Sequence, residues 1–435
     1  MIARDGRAPR VVRGGGRLAA AIARVLTYRP DVDGRLLVVA VVAAYLAAVA
    51  ICRWFGVDIW PSLGVPSGPS LFFDTRNLTA ALECRRLGFD PLIESPCDPW
   101  GRPLVYPRVW LALRWLGIDQ SHTDILALLF IALFFASVLV VVGRVGLGPG
   151  IVVSVAVCSP SVMFAVERAN MDIVIFSLLV AAVVVWRSRA PWAAGAAPLL
   201  TFVAATAKLY PAFGLPAYLL MRRRPAAVAS LVLSVLFVVY VVATLRDIQA
   251  VTAVAPQGVE HSFGVRILPV AIYHAFVSDR WAGGQVLKQL VAVIPLLVVI
   301  PVVWMYGRRL LPPTDPDADS SVRLAFYLGA LVFLGTFAAG NNFDYRLVFV
   351  LLMLPQLFAW ASGADLRRGL AAASLVAVLG LLWIGALSGP LHLADEIVTW
   401  VVAGLVVAML AASVPSVASV WRGVRSSEET SAAHG

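Results

Sequence analysis

Apolar blocks of membrane-spanning length recur along most of this chain of 435 residues. A helix needs about 20 residues to cross a bilayer, and most of the blocks reach or approach that length. Their continuity disfavours a β-barrel, whose strands alternate apolar and polar residues. Hydrophobic residues make up 60% of the chain and charged residues only 14%. The sequence therefore predicts an all-α, polytopic integral membrane protein and excludes a soluble globule or a disordered chain.

About twelve transmembrane helices are predicted inside a domain spanning 36–418, between a basic arm at 1–35 and a tail at 419–435. The pair of blocks in 192–221 leaves two interpretations open, which are two short helices around Lys208 and Pro211 or one broken re-entrant element. The blocks run at 36–52, 124–142, 150–166, 171–186, 192–207, 209–221, 226–245, 288–306, 323–339, 345–361, 369–387 and 396–418.

The basic residues lie mostly in the loops between the apolar blocks. The net charge is +10, but its spread along the chain is typical of topology-setting charges and argues against a nucleic-acid partner. If the basic N-terminal arm is cytoplasmic, the arginine-rich loops at Arg144, Arg187, Arg222–Arg224 and Arg308 all fall on the cytoplasmic side. The positive-inside rule therefore predicts that both termini are cytoplasmic.

With this topology, polar clusters gather on the outer face. Ionisable residues at the membrane edge are costly and usually functional, so a working site is expected on this face. The outer segments are the long first loop at 53–123, ERANMD at 167–172, AKLYP at 207–211, HSFGVR at 261–266, GNNFDYR at 340–346 and HLADE at 392–396.

The first outer loop is predicted to carry two amphipathic helices. One covers 75–88 and ends at Gly88, and the other covers 107–117 with Trp110 and Trp115 as interfacial anchors. Asp74 precedes the first helix near the membrane surface. It is either a helix N-cap or a functional acid, and the pattern supports both interpretations equally.

Cations stand beside acids in the other outer segments. Lys208, Arg266 and Arg346 are candidates for binding a phosphate, although each could equally extend its charge to the membrane surface. Asp172 joins Asp74 as a candidate catalytic acid. The remaining candidates are polar or aromatic residues that a substrate could contact, namely Glu167, Arg168, Asn170, Tyr106, Tyr210, His261, Asn342 and Asp344.

The cysteine and histidine patterns do not predict a metal site. Three outer histidines, His261, His274 and His392, lie in separate loops without ligand spacing, and no cofactor-binding motif is present. Cys84 and Cys97 share the first outer loop, where oxidising conditions make a disulfide between them plausible.

Several of these motifs resemble a known family. Asp74 before the helix, LGFDPL from Leu87, and VYPRVW from Val105 occur in the order found in GT-C type glycosyltransferases of family 87, a mannosyltransferase-like group. ERANMD is similar to the E-R-G-N-x-D of that group, and AKLYP to its x-K-x-Y-P. The sequence departs from the group where Arg108 replaces a second proline, Ala169 replaces a glycine, and CDPWGR is inserted at 97–102.

The resemblance implies an inverting transfer on the outer face of the bacterial cytoplasmic membrane. The donor would be a polyprenyl-phosphate sugar, and the sugar would be mannose or another hexose or pentose. The acceptor would be a lipid or a glycan, and membrane lipids would surround both substrates. Asp74 would act as general base, with Asp172 as a second catalytic acid, and Lys208, Arg266 and Arg346 would hold the phosphate. Two alternatives remain, a polyprenyl-linked glycan flippase or transporter and an O-antigen-polymerase-like enzyme.

Overall fold

The structure is a computed structural model. It describes residues 33–188, 190–221, 223–255, 261–268, 297–309, 320–363, 367–385 and 392–414. Most of the predicted N-terminal arm, the C-terminal tail, His274 and the side chain of His392 lie outside the described residues, as do parts of the predicted blocks at 288–306, 369–387 and 396–418.

The described chain is mostly helical. Its α-helices are α1 (Gly34–Trp54), α2 (Phe73–Arg86), α3 (Thr123–Val142), α4 (Leu147–Val157), α5 (Pro160–Glu167), α6 (Met171–Arg187), α7 (Ala193–Ala207), α8 (Arg224–Ala243), α9 (Leu245–Val254), α10 (Ser321–Ala339), α11 (Leu354–Ala361), α12 (Arg367–Ile384) and α13 (His392–Ser413). The 3-10 helices are Pro61–Leu63, Arg108–Leu116, Gln120–His122, Tyr210–Leu219 and Asp344–Met353. Residues 297–309 are also helical.

Seven helical segments of the described chain are long and apolar enough to cross a membrane, and the bent pair α4–α5 makes an eighth if it is one span. The seven are Gly34–Trp54, Gln120–Val142, Arg224–Ala243, Ser321–Ala339, Asp344–Ala361, Arg367–Ile384 and Ala394–Ser413. Helix α8 exposes large apolar side chains such as Leu231 and Val242, which is the surface expected of a helix that faces lipid. These segments support an all-α polytopic membrane protein.

Two predicted helices differ from the observed ones. The block at 150–166 is not one straight helix, because α4 and α5 meet at a 57° bend. Ser159 caps α5 and Pro160 opens it, and proline suits a first helical turn but not a helix interior. The second half of the 192–221 pair is the 3-10 helix Tyr210–Leu219, which follows α7 after a break at Lys208.

Helix α6 lies at the centre of the core. It packs against α3, α7 and α10. Phe176 on α6 contacts Phe134 edge to face, with ring centroids 5.1 Å apart, and lies 6.5 Å from Phe349. Since α6 begins at Met171, the core holds the end of the ERANMD segment firmly in place.

The first outer loop folds onto the protein. Helix α2 begins at Phe73 with Phe72 as its N-cap, so the prediction of Asp74 as the N-cap is wrong and Asp74 lies in the first turn. Leu78 and Leu82 are fully buried in a small core shared with Tyr106 and Met171. The helix is therefore packed into the protein rather than laid on the membrane surface. The predicted disulfide between Cys84 and Cys97 is confirmed.

The second predicted helix of this loop is the 3-10 helix Arg108–Leu116. The indole Nε1 of Trp110 donates to the carbonyl oxygen of Ala207 at 2.8 Å, so Trp110 fastens this segment to the end of α7. It does not act as a free interfacial anchor. Trp115, in contrast, is 80% exposed, as an anchor would be.

A short antiparallel sheet joins two outer segments. Its strands are β1 (Ser262–Phe263) and β2 (Asn342–Phe343), with Ser262 opposite Phe343. The peptide N–H of Asp344 also donates to the carbonyl oxygen of His261 at 2.9 Å. The HSFGVR and GNNFDYR segments are thereby held side by side.

Gly329 in α10 is closely packed, and a substitution there tests the fold. A Cβ atom there would lie 2.8 Å from the carbonyl oxygen of Phe349 and 2.9 Å from Cβ of Leu352. We expect Gly329→Ala to destabilise the protein by about 1–3 kcal/mol through overpacking. The measurement is the midpoint of thermal unfolding in detergent.

The matched control is Gly404→Ala in α13, where an added Cβ would meet nothing within 4 Å. This variant should be neutral or should gain up to about 1 kcal/mol of helix propensity. Equal melting temperatures for the two variants would contradict the packing described between α10 and Asp344–Met353.

Candidate functional site

Hydrogen bonds join the first turn of α2 to the turn between α5 and α6. The N–H groups of Phe72 and Asp74 donate to the carbonyl oxygens of Glu167 and Arg168 at 3.1 and 3.2 Å. The hydroxyl of Thr75 donates to the carbonyl oxygen of Ala169 at 2.7 Å. Three consecutive bonds of this kind fix Asp74 against the ERANMD segment, although the two are almost 100 residues apart in the chain.

The ERANMD turn needs an unusual backbone at its centre. Ala169 has a φ of 44°, a left-handed conformation that glycine adopts without strain. The glycine of the resembled motif is explained by this geometry. Asn170 then caps α6, because its Oδ1 accepts the N–H of Asp172 at 2.9 Å.

Asn170 bridges the two predicted acids and the lysine. Its Nδ2 donates to Oδ2 of Asp74, while its Oδ1 also accepts from Nζ of Lys208 at 2.8 Å. Arg168 stands on the other side of Asp74, with Nη1 3.5 Å from Oδ1. Asp74 is 9% exposed, so its carboxylate lies at the edge of this network.

Asp172 lies close to two positively charged side chains of the site. It is fully buried and forms an ion pair with Lys208 and a hydrogen bond from the hydroxyl of Tyr210. Nε of Arg346 lies 3.8 Å from its Oδ2. Among the described residues, neither this Oδ2 nor this Nε has a hydrogen-bond partner, so both atoms retain unused hydrogen-bonding capacity.

Arg346 is oriented from its own segment. Its Nη1 donates to Oδ1 of Asn342, and Nδ2 of Asn342 donates to the carbonyl oxygens of Thr336 and Gly340 at 2.6 and 3.0 Å. Asn342 thus fastens the end of α10 and aims the arginine at Asp172.

Three tyrosine rings surround the ammonium of Lys208. Its Nζ lies 5.3 Å from the ring centroid of Tyr106, 5.9 Å from that of Tyr210 and 5.5 Å from that of Tyr345. Burial lowers the pKa of Lys208, and the charge of Asp172 opposes that shift. Burial raises the pKa of Tyr106 well above its ordinary value, and the nearby charge of Asp74 raises it further. Tyr106 therefore remains a neutral phenol at ordinary pH.

A cavity of about 370 Å³ opens beside these cations. Lys208, Tyr210, Asn342 and Arg346 form its polar wall. Its other wall is mixed and comes from the first outer loop, α8, α9 and α10, including Val105, Arg108, Tyr240, Asp247, Ile248, Val251 and Ala339. The cavity suits a ligand with an anionic group and an apolar part.

Of the five residues predicted to be catalytic or phosphate-binding, the structure places two in the wall of this cavity. Lys208 and Arg346 line this cavity, but Asp74, Asp172 and Arg266 do not. Asp172 is covered by the side chains that it binds. Arg266 is exposed and lies beside Gly340, and unlike Lys208 and Arg346 it does not line the cavity.

Three other predicted site residues contact other parts of the protein. Asp344 is buried, but its carboxylate faces Gly385 and not the cavity. His261 contacts the ring of Phe164, with centroids 6.3 Å apart, and supports Asp344 through its backbone. Glu167 is buried, and its Oε1 accepts the N–H of Gly68 at 2.9 Å, which holds the chain before Asp74.

Tyr345 also belongs to the site, although it was not predicted from the sequence. It lies between two residues that were predicted, yet its ring contacts Phe164 at 5.3 Å as well as facing Lys208. The aromatic run in GNNFDYR was the available signal. Among the described residues, no group of three histidine, cysteine or acidic side chains could hold a metal ion.

A protein-family model matches this chain. The model for "Glycosyltransferase family 87" matches residues 109–334, which is just over half of the chain. The matched range includes Glu167, Asn170, Asp172 and Lys208, whereas Asp74 precedes it and Arg346 follows it. No significant match was found among curated proteins or solved structures.

The buried ion pair predicts strong coupling between Lys208 and Asp172. Removing one partner of such a pair typically costs about 3–5 kcal/mol, because the other charge stays buried. We expect Lys208→Met and Asp172→Asn each to lower the thermal unfolding midpoint strongly, and the double variant to be more stable than the sum of the two changes predicts.

The control cycle uses Arg86 and Asp119, an ion pair of 3.2 Å whose side chains are about one third exposed. Arg86→Met and Asp119→Asn should combine additively to within about 1 kcal/mol. Additive effects at Lys208 and Asp172 would show that the pair is not the electrostatic centre of the fold.

Proposed function

The chain belongs to glycosyltransferase family 87, and on that premise we propose that it transfers a sugar from a polyprenyl-phosphate donor to a lipid- or glycan-linked acceptor at the outer face of the membrane. Glycosyl transfer and a membrane location follow from the family and the apolar helices. The donor, the side of the membrane and the residue roles are the proposal.

The charge balance beside the cavity carries this proposal. Two cations, Lys208 and Arg346, share one carboxylate, Asp172. The group therefore has one net positive charge, in a site where burial strengthens electrostatic attraction. A phosphodiester between a lipid and a sugar has one negative charge. The apolar wall of the same cavity, including Ile248 and Val251, suits the first part of a lipid chain.

The reaction needs a base and a stabilised leaving group. Asp74 takes the proton from an acceptor hydroxyl, and the oxygen attacks the anomeric carbon of the donor sugar. The bond between that carbon and the phosphate oxygen breaks, and the lipid phosphate leaves with the bonding electron pair. Lys208 and Arg346 stabilise the negative charge that develops on it. Attack opposite the leaving phosphate inverts the anomeric centre.

Asp74 suits the base better than Asp172 does. The Asp74 carboxylate lies at the edge of the network and retains some exposure, so an acceptor hydroxyl can reach it. Asp172 is fully buried and already accepts from Tyr210 and pairs with Lys208. We therefore assign Asp172 to holding the two cations and Asn170 to positioning Asp74 relative to Lys208.

The charge pattern supports the outer face. Four segments assigned to that side by the positive-inside rule meet in this site, namely the first loop, ERANMD, AKLYP and GNNFDYR. A flippase or transporter shares the hydropathy, but the family match and the clustering of polar residues at one end favour transfer over transport.

The activity test uses membranes or nanodiscs containing the protein. Radiolabelled sugar is offered on polyprenyl-phosphate-mannose, and then on other polyprenyl-phosphate sugars, with membrane lipid extract as acceptor. We expect transfer by the wild type and a loss of about 100-fold or more in Asp74→Asn, because a general base contributes on that scale. The control is Glu94→Gln, an exposed acid of the same loop, which should transfer at the wild-type rate.

Two results would contradict the proposal in different ways. Full activity of Asp74→Asn would move the base to another outer acid, with Asp172 and Asp58 as the next variants. Transfer from none of these donors, by protein that retains its unfolding midpoint, would overturn the polyprenyl-phosphate donor.

A further inference from the structure

An exposed tryptophan stands beside the proposed base. Trp100 belongs to the CDPWGR insert of the first outer loop and is 41% exposed. Exposed tryptophan is costly on a surface that meets water, because a large apolar area remains unburied. The side chain is therefore a candidate for contact with a ligand or with the membrane.

The insert that carries Trp100 is rigid. The disulfide between Cys84 and Cys97 ties its start to α2. Oδ1 of Asp98 accepts the N–H of Trp100 at 2.9 Å, and the carboxylate also binds Arg102 through an ion pair of 2.8 Å. Asp98 is 3% exposed, so these bonds are protected from water.

The insert forms a layered platform with α2. The guanidinium of Arg102 lies 3.5 Å from the ring centroid of Phe73 and 5.0 Å from that of Trp100. The Phe73 and Trp100 rings meet edge to face, with centroids 5.0 Å apart. We call Phe73, Trp100 and Arg102 the aromatic platform.

The aromatic platform adjoins Asp74 directly. Phe73 precedes Asp74 in the chain, and Nη2 of Arg102 donates to the carbonyl oxygen of Phe73 at 3.1 Å. Arg168 connects the two, since its guanidinium lies 5.7 Å from the Phe73 ring and 3.5 Å from Asp74. The side chain of Arg168 is 23% exposed, so part of its guanidinium is accessible to a ligand.

The platform and the cation cavity are separate places. None of Phe73, Trp100, Arg102 and Arg168 lines the cavity beside Lys208. Asp74 and Asn170 lie between them, bonded to each other and, through Asn170, to Lys208. A reaction between two substrates needs this kind of arrangement, with one substrate on each side of the base.

We propose that the aromatic platform is the subsite for a sugar ring of the acceptor, with the ring stacked on Trp100 and hydroxyls bonded by Arg168. This inference rests on the proposed function, because it takes Asp74 as the base. Sugar rings have apolar C–H faces that pack on aromatic rings, and a few polar groups then fix the orientation.

The charge of the platform indicates an uncharged sugar. Arg102 is paired with Asp98, and Arg168 faces Asp74, so the local sum is zero. An anionic sugar would meet no surplus positive charge here, in contrast to the cation cavity. The subsite is therefore expected to take neutral rings and to reject uronic acids.

The rival for Trp100 is a simple membrane-interface anchor. Trp115 provides the matched control, because it lies in the same outer loop, is 80% exposed and also contacts an arginine, with Cζ of Arg114 4.5 Å from its ring centroid. Trp115 does not belong to the aromatic platform.

The test measures sugar binding without turnover. Full-length protein in lipid nanodiscs is studied by saturation-transfer NMR with neutral disaccharides as probes, namely mannobiose, maltose and cellobiose, and with glucuronic acid as the charged comparison. We expect at least one neutral probe to bind. Trp100→Ala should weaken it about 3- to 10-fold, as expected for loss of one aromatic contact, whereas Trp100→Phe and Trp115→Ala should change it less than about twofold.

A second measurement identifies the bound sugar as the acceptor. In the transfer assay, Trp100→Ala should raise KM for the acceptor by a similar factor and leave KM for the donor unchanged. A rise in donor KM alone would overturn the acceptor assignment.

Other outcomes are equally decisive. Absence of binding for every neutral probe, or wild-type binding by Trp100→Ala, would overturn the subsite. An equal loss in Trp115→Ala would assign Trp100 to the membrane interface. Binding that depends on Trp100 in a protein without transfer activity would retain the sugar subsite and overturn the proposed transferase reaction instead.

Discussion

The buried ion pair between Lys208 and Asp172 is the interaction on which the rest of the site depends. Burying two charges is costly unless each has good partners. Four segments supply those partners, because Asn170 bonds the lysine, Tyr210 bonds the carboxylate, Arg346 adds a second cation and Tyr106 covers the ammonium. The convergence of these four segments is thus a direct consequence of having to pair charges at the edge of an apolar helix bundle.

The first outer loop turns this structural centre into a site with two sides. Its backbone bonds to Glu167 and Arg168 hold Asp74 in place, and Tyr106 in the same loop packs over Lys208. One side of the loop then faces the cavity beside Lys208, and the other presents Trp100 and Phe73. The proposed base lies between them, which is where a proton must be removed if donor and acceptor approach from opposite sides.

The sequence predicted the helices well and their interruptions less well. The predicted block at 150–166 joined most of α4 and α5 into one helix, because hydropathy averages over Ser159 and Pro160. The 3-10 geometry of Tyr210–Leu219 was likewise hidden, although the break at Lys208 was one of the two interpretations kept open. Arg266 and Asp344 have suitable residue types but do not line the cavity, since residue type does not reveal where a side chain lies.

By itself, the sequence determined the class of protein, the approximate position of several spanning helices and the resemblance to family 87. These properties depend on local composition and charge, which are visible in a short window. Only the tertiary structure decided which polar residues meet. The bonds of Asn170 reach 96 residues back to Asp74 and 38 residues forward to Lys208. These pairings depend on how the helices pack and on the cost of leaving a buried charge unpaired. No single segment of the sequence reveals the packing or that cost.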